Sequence, residues 1–247
     1  MKLQSGPTRS AALALLLLPA LLFASAASPV GGDEVQLAEA EVFIEWNSTD
    51  DDFGVHIFFD GGPWRRMRIV NADEIPVMQI KCSQSFAEQG MTEAFFESAE
   101  PPTSVLSMEE FLDRFPEGEY EFEGKTLDGR ELEGETDFTH DIPEPPSRFV
   151  PNDGARVDAG LPLVLRFAPV EFSIFGDPLE IEFYEVVLEA ETELGQTMKI
   201  VLDGGEKRPA VTVPPEFLLP GTEYKLEVLA QEESGNRTAS EVAFETL

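Results

Sequence analysis

Cysteine, histidine and basic residues are scarce in this sequence, and each scarcity removes a class of function. The single cysteine, Cys82, excludes an internal disulfide framework. The two histidines, His56 and His140, form no His-x-x-x-His metal spacing, so both read as structural. No nucleophile elbow is present, and Gly31-Gly32, Gly61-Gly62 and Gly204-Gly205 lack a phosphate-binding context. Only 17 Lys and Arg oppose 48 Asp and Glu, so phosphate backbones and anionic lipid surfaces would be repelled and nucleic-acid binding is not expected. With that many carboxylates a pair at glycosidase separation arises by chance, and their number is no argument for catalysis.

Long apolar runs are also missing, except at the start. Lys2 and Arg9 precede an apolar stretch from Ala11 to Phe23, and Ala24-Ser25-Ala26 supplies small residues for cleavage. This is the layout of a secretory signal peptide over residues 1–26. The run is too short for a hydrocarbon core about 30 Å thick, and Pro19 interrupts it, so no transmembrane anchor is expected after signal removal. Without Lys2 and Arg9, 15 basic residues face 48 acidic ones, a net charge of −33. An exported chain with one cysteine fits a bacterial periplasm or envelope better than an animal secreted domain. Such acidity suits solubility in salty medium, or an affinity for divalent cations or cationic partners.

The segment DIPEPPS, Asp141 to Ser147, holds the chain extended and divides it into domains 34–142 and 143–247. In the second, Leu161, Leu163, Leu165 and Phe167 alternate with less apolar positions. Tyr184, Val186, Leu188 and Ala190 do the same, as do Tyr224, Leu226, Val228 and Ala230. Val211 with Val213, and Val242 with Phe244, mark shorter runs. Short strands at this spacing predict a β-sandwich. The stretch LLPGTEYKLEVLAQEESGNRTASEVAFET resembles the last two strands of a fibronectin type III domain, with Leu218, Pro220, Gly221, Thr222 and Tyr224 at that family's leucine, turn and tyrosine-corner positions. The resemblance runs from Pro145 to Leu247. It departs at Phe167, where the family usually has tryptophan, and in the irregular loop Pro169–Pro178. It implies a seven-stranded immunoglobulin-like sandwich and no particular activity.

The first domain is also strand-rich. Ala40, Val42, Ile44 and Trp46 alternate, as do Phe53, Val55, Ile57 and Phe59; Trp64–Val70, Ile75–Cys82 and Met91–Glu97 are further strands. One short helix is predicted, capped by Ser107 with Glu110 three residues on and ending before Pro116. Leu106, Phe111, Leu112 and Phe115 would pin it to the sheet. A hairpin follows from Glu119 to Phe138. A two-residue turn at Asp128-Gly129 would set Phe122 opposite Glu135, whereas the loop Leu127-Asp128-Gly129, with Gly129 left-handed, keeps Tyr120, Phe122, Leu132 and Phe138 on one face. Glu121 and Glu123 then oppose Glu135 and Glu133. The expected fold class is mainly β: two β-sandwich-like domains in tandem, with one short helix in the first. With the phrases IEWNSTDDDFGVHIFFDGGPW, TEAFFESAEPP and FLDRFPEGEYEFEG, the layout also resembles a recurring type of exported bacterial protein that joins an acidic β-domain to a fibronectin-like module. That resemblance implies architecture only.

Two places are candidates for binding. Asn47, Asp50 and Asp52, with Asp60 after the returning strand, offer oxygens to a hard cation such as Ca2+, without the glycine and distal glutamate of an EF-hand; the ordinary alternative is a solvated turn. Trp64 with Arg66 and Arg68 would share a strand face and grip an anionic sugar or a partner carboxylate, or else pair internally with glutamates. The sequons Asn47-Ser48-Thr49 and Asn236-Arg237-Thr238 matter only in a eukaryotic source. The expected function is an exported, non-catalytic binding or assembly protein with a protein or glycan partner in the cell envelope and no cofactor. A calcium-stabilised envelope protein and a carbohydrate-active enzyme or accessory domain are the alternatives.

Overall fold

Alternating oily and charged residues lay down the strands β1 (Glu34–Gln36), β2 (Glu39–Asn47) and β3 (Asp52–Val70), the last 19 residues long. A computed structural model describes residues 34–247; the export signal expected over residues 1–26 lies outside them. β3 is the spine of the first half. Along one edge run β4 (Pro76–Lys81), the short helix α1 (Gln84–Gln89) and β5 (Met91–Glu97), with both strands antiparallel to β3. After helix α2 (Met108–Leu112), β6 (Gly118–Thr126) takes the opposite edge beyond β2, and β7 (Glu131–Phe138) completes the hairpin. β1 pairs in parallel with β7 while β2 pairs with β3, so the sheet curls back towards its first strand. Val42, Ile44, Phe53, Phe59, Phe122, Leu132 and Phe138 fill the enclosed core.

The local expectations hold closely here. Ser107 and Glu110 form the capping box that starts α2, and Phe111 is its buried anchor. Thr126 and Arg130 close the loop Leu127-Asp128-Gly129, with Gly129 at φ 93°, and Glu121 and Glu123 face Glu135 and Glu133. The described residues hold two short helices rather than one. α1 buries no side chain and has no side-chain cap, so no periodic pattern marks it in the sequence.

The second half stacks two sheets. β8 (Ser147–Val150) and β9 (Ala155–Val157) lead into β10 (Leu163–Ala168), β11 (Ile181–Ala190), β12 (Thr197–Asp203), β13 (Ala210–Val213), β14 (Glu223–Glu232) and β15 (Arg237–Thr246). One sheet runs β13-β10-β8 and faces the run β15-β14-β11-β12 across the core. Tyr184, Leu188, Val213, Tyr224, Leu226 and Val228 are buried there. Phe167 meets Tyr184 edge-on at 5.0 Å, and the Tyr184 hydroxyl accepts from Val170 N–H at 2.8 Å. Leu161 was expected on this strand, but it precedes β10 and is 59% exposed.

The proline-rich connection is laced down rather than free. Ile142 is buried in the first core, Ile174 N–H bonds to its carbonyl, and Glu144 N–H bonds to Phe172 C=O. The irregular loop between β10 and β11 therefore clasps the connection.

The Tyr224 hydroxyl donates to Phe217 C=O at 2.9 Å and accepts from Leu219 N–H at 2.7 Å. Tyr224→Phe keeps the packing but strands both backbone groups. Urea unfolding should show a loss of about 1 to 3 kcal/mol, with an unchanged far-UV spectrum.

Candidate functional site

The edge of β15 joins the two halves. Arg237, Thr238 and Ala239 pair in parallel with Glu45, Trp46 and Asn47 of β2. Residues paired in a ladder point the same way, so the outward positions of both halves form one face. Its strand order is β12-β11-β14-β15-β2-β3-β5. Glu185 and Glu189 on β11, Glu227 on β14, Glu241 on β15, Glu41 and Glu45 on β2, and Glu93 and Glu97 on β5 all project from it.

Arg237 sits at the seam and is only 4% exposed. Its guanidinium lies 3.9 Å from the centre of the Phe43 ring, and its Nε is 3.8 Å from Glu45 Oε2. Burial holds its pKa below the usual arginine value, while Glu45, Glu41 and Glu185 oppose that shift. His56, on β3 beside Phe43, is 1% exposed. Its Nε2 is 3.4 Å from Glu100 Oε1 and its Nδ1 is 3.9 Å from the same Glu45 oxygen. Gly54 makes room for Glu100, because a Cβ there would stand 2.9 Å from Glu100 Cγ. Asn236 pins the seam from behind: its Oδ1 accepts from Ile44 N–H at 2.7 Å and its Nδ2 donates to Thr139 C=O at 3.0 Å.

Carboxylates crowd this face with few cations. Burial pushes Glu227 up to about 7, and Glu45, Glu241, Glu185 and Glu189 add to the shift. Burial also raises Glu41, against the pull of Arg237, and Glu241, against Lys225. Lys225 is itself raised, chiefly by Glu241.

The residues singled out from the sequence fare differently. Asp60 pairs with Glu39 at the far end of the hairpin, whereas Asn47 pairs with Asp52 at its turn. Eight residues of strand, about 26 Å, separate Asp52 from Asp60, so the four-residue cation set does not assemble. Asn47 Oδ1 accepts from Thr49 and Asp50 N–H, and Asp51 accepts from Thr103 Oγ1, so the turn is closed by its own hydrogen bonds. Among the described residues no group of three or more His, Cys, Asp or Glu is arranged to hold a metal ion.

Trp64 is no open platform. It is 1% exposed and packs 5.3 Å from Phe59. A register shift against β6 between Trp64 and Arg66 turns Trp64 into the core and leaves Arg65 and Arg66 outside, so the expected shared face with Arg66 and Arg68 is broken. Arg68 pairs with Glu123 at 2.9 Å, and Arg66 has no ion pair among the described residues. His140 is structural, its Nε2 lying 2.8 Å from Phe115 C=O. Asn236, the second sequon, is fully buried.

Sequence reasoning missed Arg237, Asn236 and Glu227 as a group. One sign was present: Thr238-Ala239-Ser240 is an uncharged run in a charge-rich chain, and all three residues are buried.

No family model matches the chain, and no curated protein matches it. Among solved structures it is similar to the FN1–FN3 domains of chicken CNTN1, at 12% identity and a TM-score of 0.40, covering 87% of this chain and 65% of that one. It thus spans slightly less than two thirds of that structure's length. A two-domain fibronectin type III segment of chicken tenascin aligns at 11% identity and a TM-score of 0.31, covering 85% of this chain and 99% of that one. A tetra-tandem repeat from the extending region of a large adhesion protein aligns at 13% identity and 0.31, covering 84% and 49%. The strand order described above decides the fold. The second half is a fibronectin type III-like sandwich. Among the described residues no helix is long and apolar enough to cross a membrane.

Glu227 ionises near 4.5 when solvated but near 7 in the fold. A raised folded pKa on an acid favours the fold below both values and costs stability as pH climbs from 4.5 to about 7. Glu227→Gln should therefore raise the melting temperature at pH 8, leave it nearly unchanged at pH 4.5, and flatten the slope between. Parallel melting curves for the variant and the parent would refute this.

Proposed function

We propose that the chain is an exported, non-catalytic binding or assembly protein of the cell envelope, and that its partner is a protein with a basic surface. The observation that carries this is the β2–β15 ladder, which merges the outer faces of both halves into one carboxylate-rich sheet. A face with a large excess of one sign favours diffusional encounter with the opposite sign and rejects like-charged competitors. Arg237 and Asn236 hold the halves in register, so the face is presented as one surface.

Glu93, Glu97 and Glu189 are exposed on this face, at positions where reversal leaves the cores intact. Capture of a native envelope partner by the mature chain should weaken at least about tenfold when all three become lysine, and should fall as salt rises from about 0.05 to about 0.5 M. Capture indifferent to both changes would remove the proposal.

A second reading, a calcium-stabilised envelope protein, has one observation in its favour. Burial, with Glu100, Asp50, Asp51 and Glu45 nearby, raises the Asp52 carboxyl above its ordinary range, a strain that a divalent cation would relieve. Under that reading millimolar Ca2+ raises the melting temperature by several degrees and chelator reverses it; under the first, neither does.

A further inference from the structure

The hydrogen-bond parity of β4 shows which of its backbone groups are spoken for. Cys82 N–H bonds to Arg65 C=O, and β4 keeps the same register against β3 from Lys81 to Met78. In an antiparallel ladder the bonded pairs alternate, so Cys82, Ile80 and Met78 face β3. Gln79 and Lys81 then aim their N–H and C=O groups away from the sheet, and Val77 lies unpaired at the register shift between Met78 and Pro76. Among the described residues no strand takes that edge. Natural edges are usually blunted by charge or proline. β4 carries such residues only at its two ends, Pro76 and Lys81, which leaves Gln79 between them as an uncharged outward position.

Two features lie beside this edge. The first is a mainly apolar cavity of about 140 Å3 among Val42, Val55, Ile57 and Phe96, with Val77 and Met78 of β4 in its wall and Glu97 and Ser98 at the end of β5 as its polar lining. An apolar void near 150 Å3 holds about one benzene ring. The second is a row of cations, Lys81, Arg66 and Lys125, directly opposed across β4, β3 and β6. Lys125 pairs with Glu131. Arg66 and Lys81 are exposed and have no ion pair among the described residues, in a chain of 48 carboxylates. Like charges set opposite each other on a sheet repel. Here they stand ready for carboxylates from elsewhere.

We propose that the outer edge of β4 receives an extended peptide segment as an added strand, with one leucine- or phenylalanine-sized side chain in the cavity and acidic residues on the alternate face beside Lys81 and Arg66. Backbone hydrogen bonds supply the affinity, and the pocket and the cation row supply the sequence preference. The overall negative charge does not forbid an acidic segment, because screening confines repulsion to about 10 Å at 0.1 M salt. The site meets the acidic face at one residue, Glu97 in the cavity wall, so the two are told apart by Gln79→Pro, which leaves every carboxylate of that face in place.

The test is a titration of the isotope-labelled mature chain with the peptide acetyl-Thr-Val-Glu-Phe-Glu-Val-Thr-amide. Amide signals of Val77, Gln79 and Lys81 and methyl signals of Val42, Val55 and Ile57 should shift together. Replacing the peptide's Phe by Ala, its Glu residues by Lys, or N-methylating its backbone should each weaken binding at least about tenfold. Gln79→Pro, which removes an outward N–H and no ladder bond, and the pair Arg66→Glu with Lys81→Glu should do the same while melting with the parent's cooperativity. The proposal fails if those signals do not move, if Gln79→Pro binds as the parent does, or if the N-methylated peptide binds equally well. It also fails if the edge is instead occupied by a second copy of the chain, seen as a dimer broken by Gln79→Pro.

Discussion

The structure depends on how the exposed edge of β15 is closed. A ten-residue edge strand with unpaired backbone groups is a template for aggregation. Here β2 covers Arg237 to Ala239, and β9 covers Phe244 to Thr246. Between them Thr49 Oγ1 takes Glu241 N–H and Asp153 Oδ1 takes Ala243 N–H. The cover comes partly from the opposite end of the chain, so satisfying this edge also sets the first half against the sandwich. Two cores result, joined by one shared sheet, and hydrogen bonds from Ile174 and Glu144 tie down the proline-rich connection.

That closure imposes an electrostatic constraint. Bringing Glu41 and Glu45 alongside Glu227 and Glu185 would concentrate negative charge on partly buried sheet. Arg237 sits at the meeting point, over Phe43 and beside Glu45, and offsets part of it. Burial and mutual repulsion still hold several of these carboxyls above their ordinary range. An arrangement of this kind costs stability at neutral pH.

Features set by near neighbours were legible from residues. The Leu127-Asp128-Gly129 loop follows from keeping Phe122 and Leu132 on one face, a two-residue periodicity that no distant contact needed to decide. The Ser107–Glu110 box starts α2 within three residues, and the tyrosine corner closes between Tyr224 and Phe217. The misses at Trp64 and Arg237 turned on pairing between segments far apart in sequence. Trp64 faces the core owing to a register shift against β6, which strict alternation from Arg66 and Arg68 does not reveal. Asp60 looked near the Asp50–Asp52 turn on paper, but an uninterrupted strand carries it away. Arg237 stood out in the sequence only as the middle of a sequon, and its place at the seam depends on β2 coming alongside.

Periodicity, turn chemistry and composition thus determined by themselves that the described chain is mainly β, that its halves have separate cores, and that its surface is acidic. These are properties of one residue and its near neighbours, and the hydrophobic effect acts on them directly. Tertiary structure alone decided that the halves share a sheet, that an arginine is buried at their seam, and that β4 keeps an open edge beside a cavity and a row of cations. Each of those rests on which backbone edge meets which, and edges carry the same N–H and C=O groups whatever the side chains.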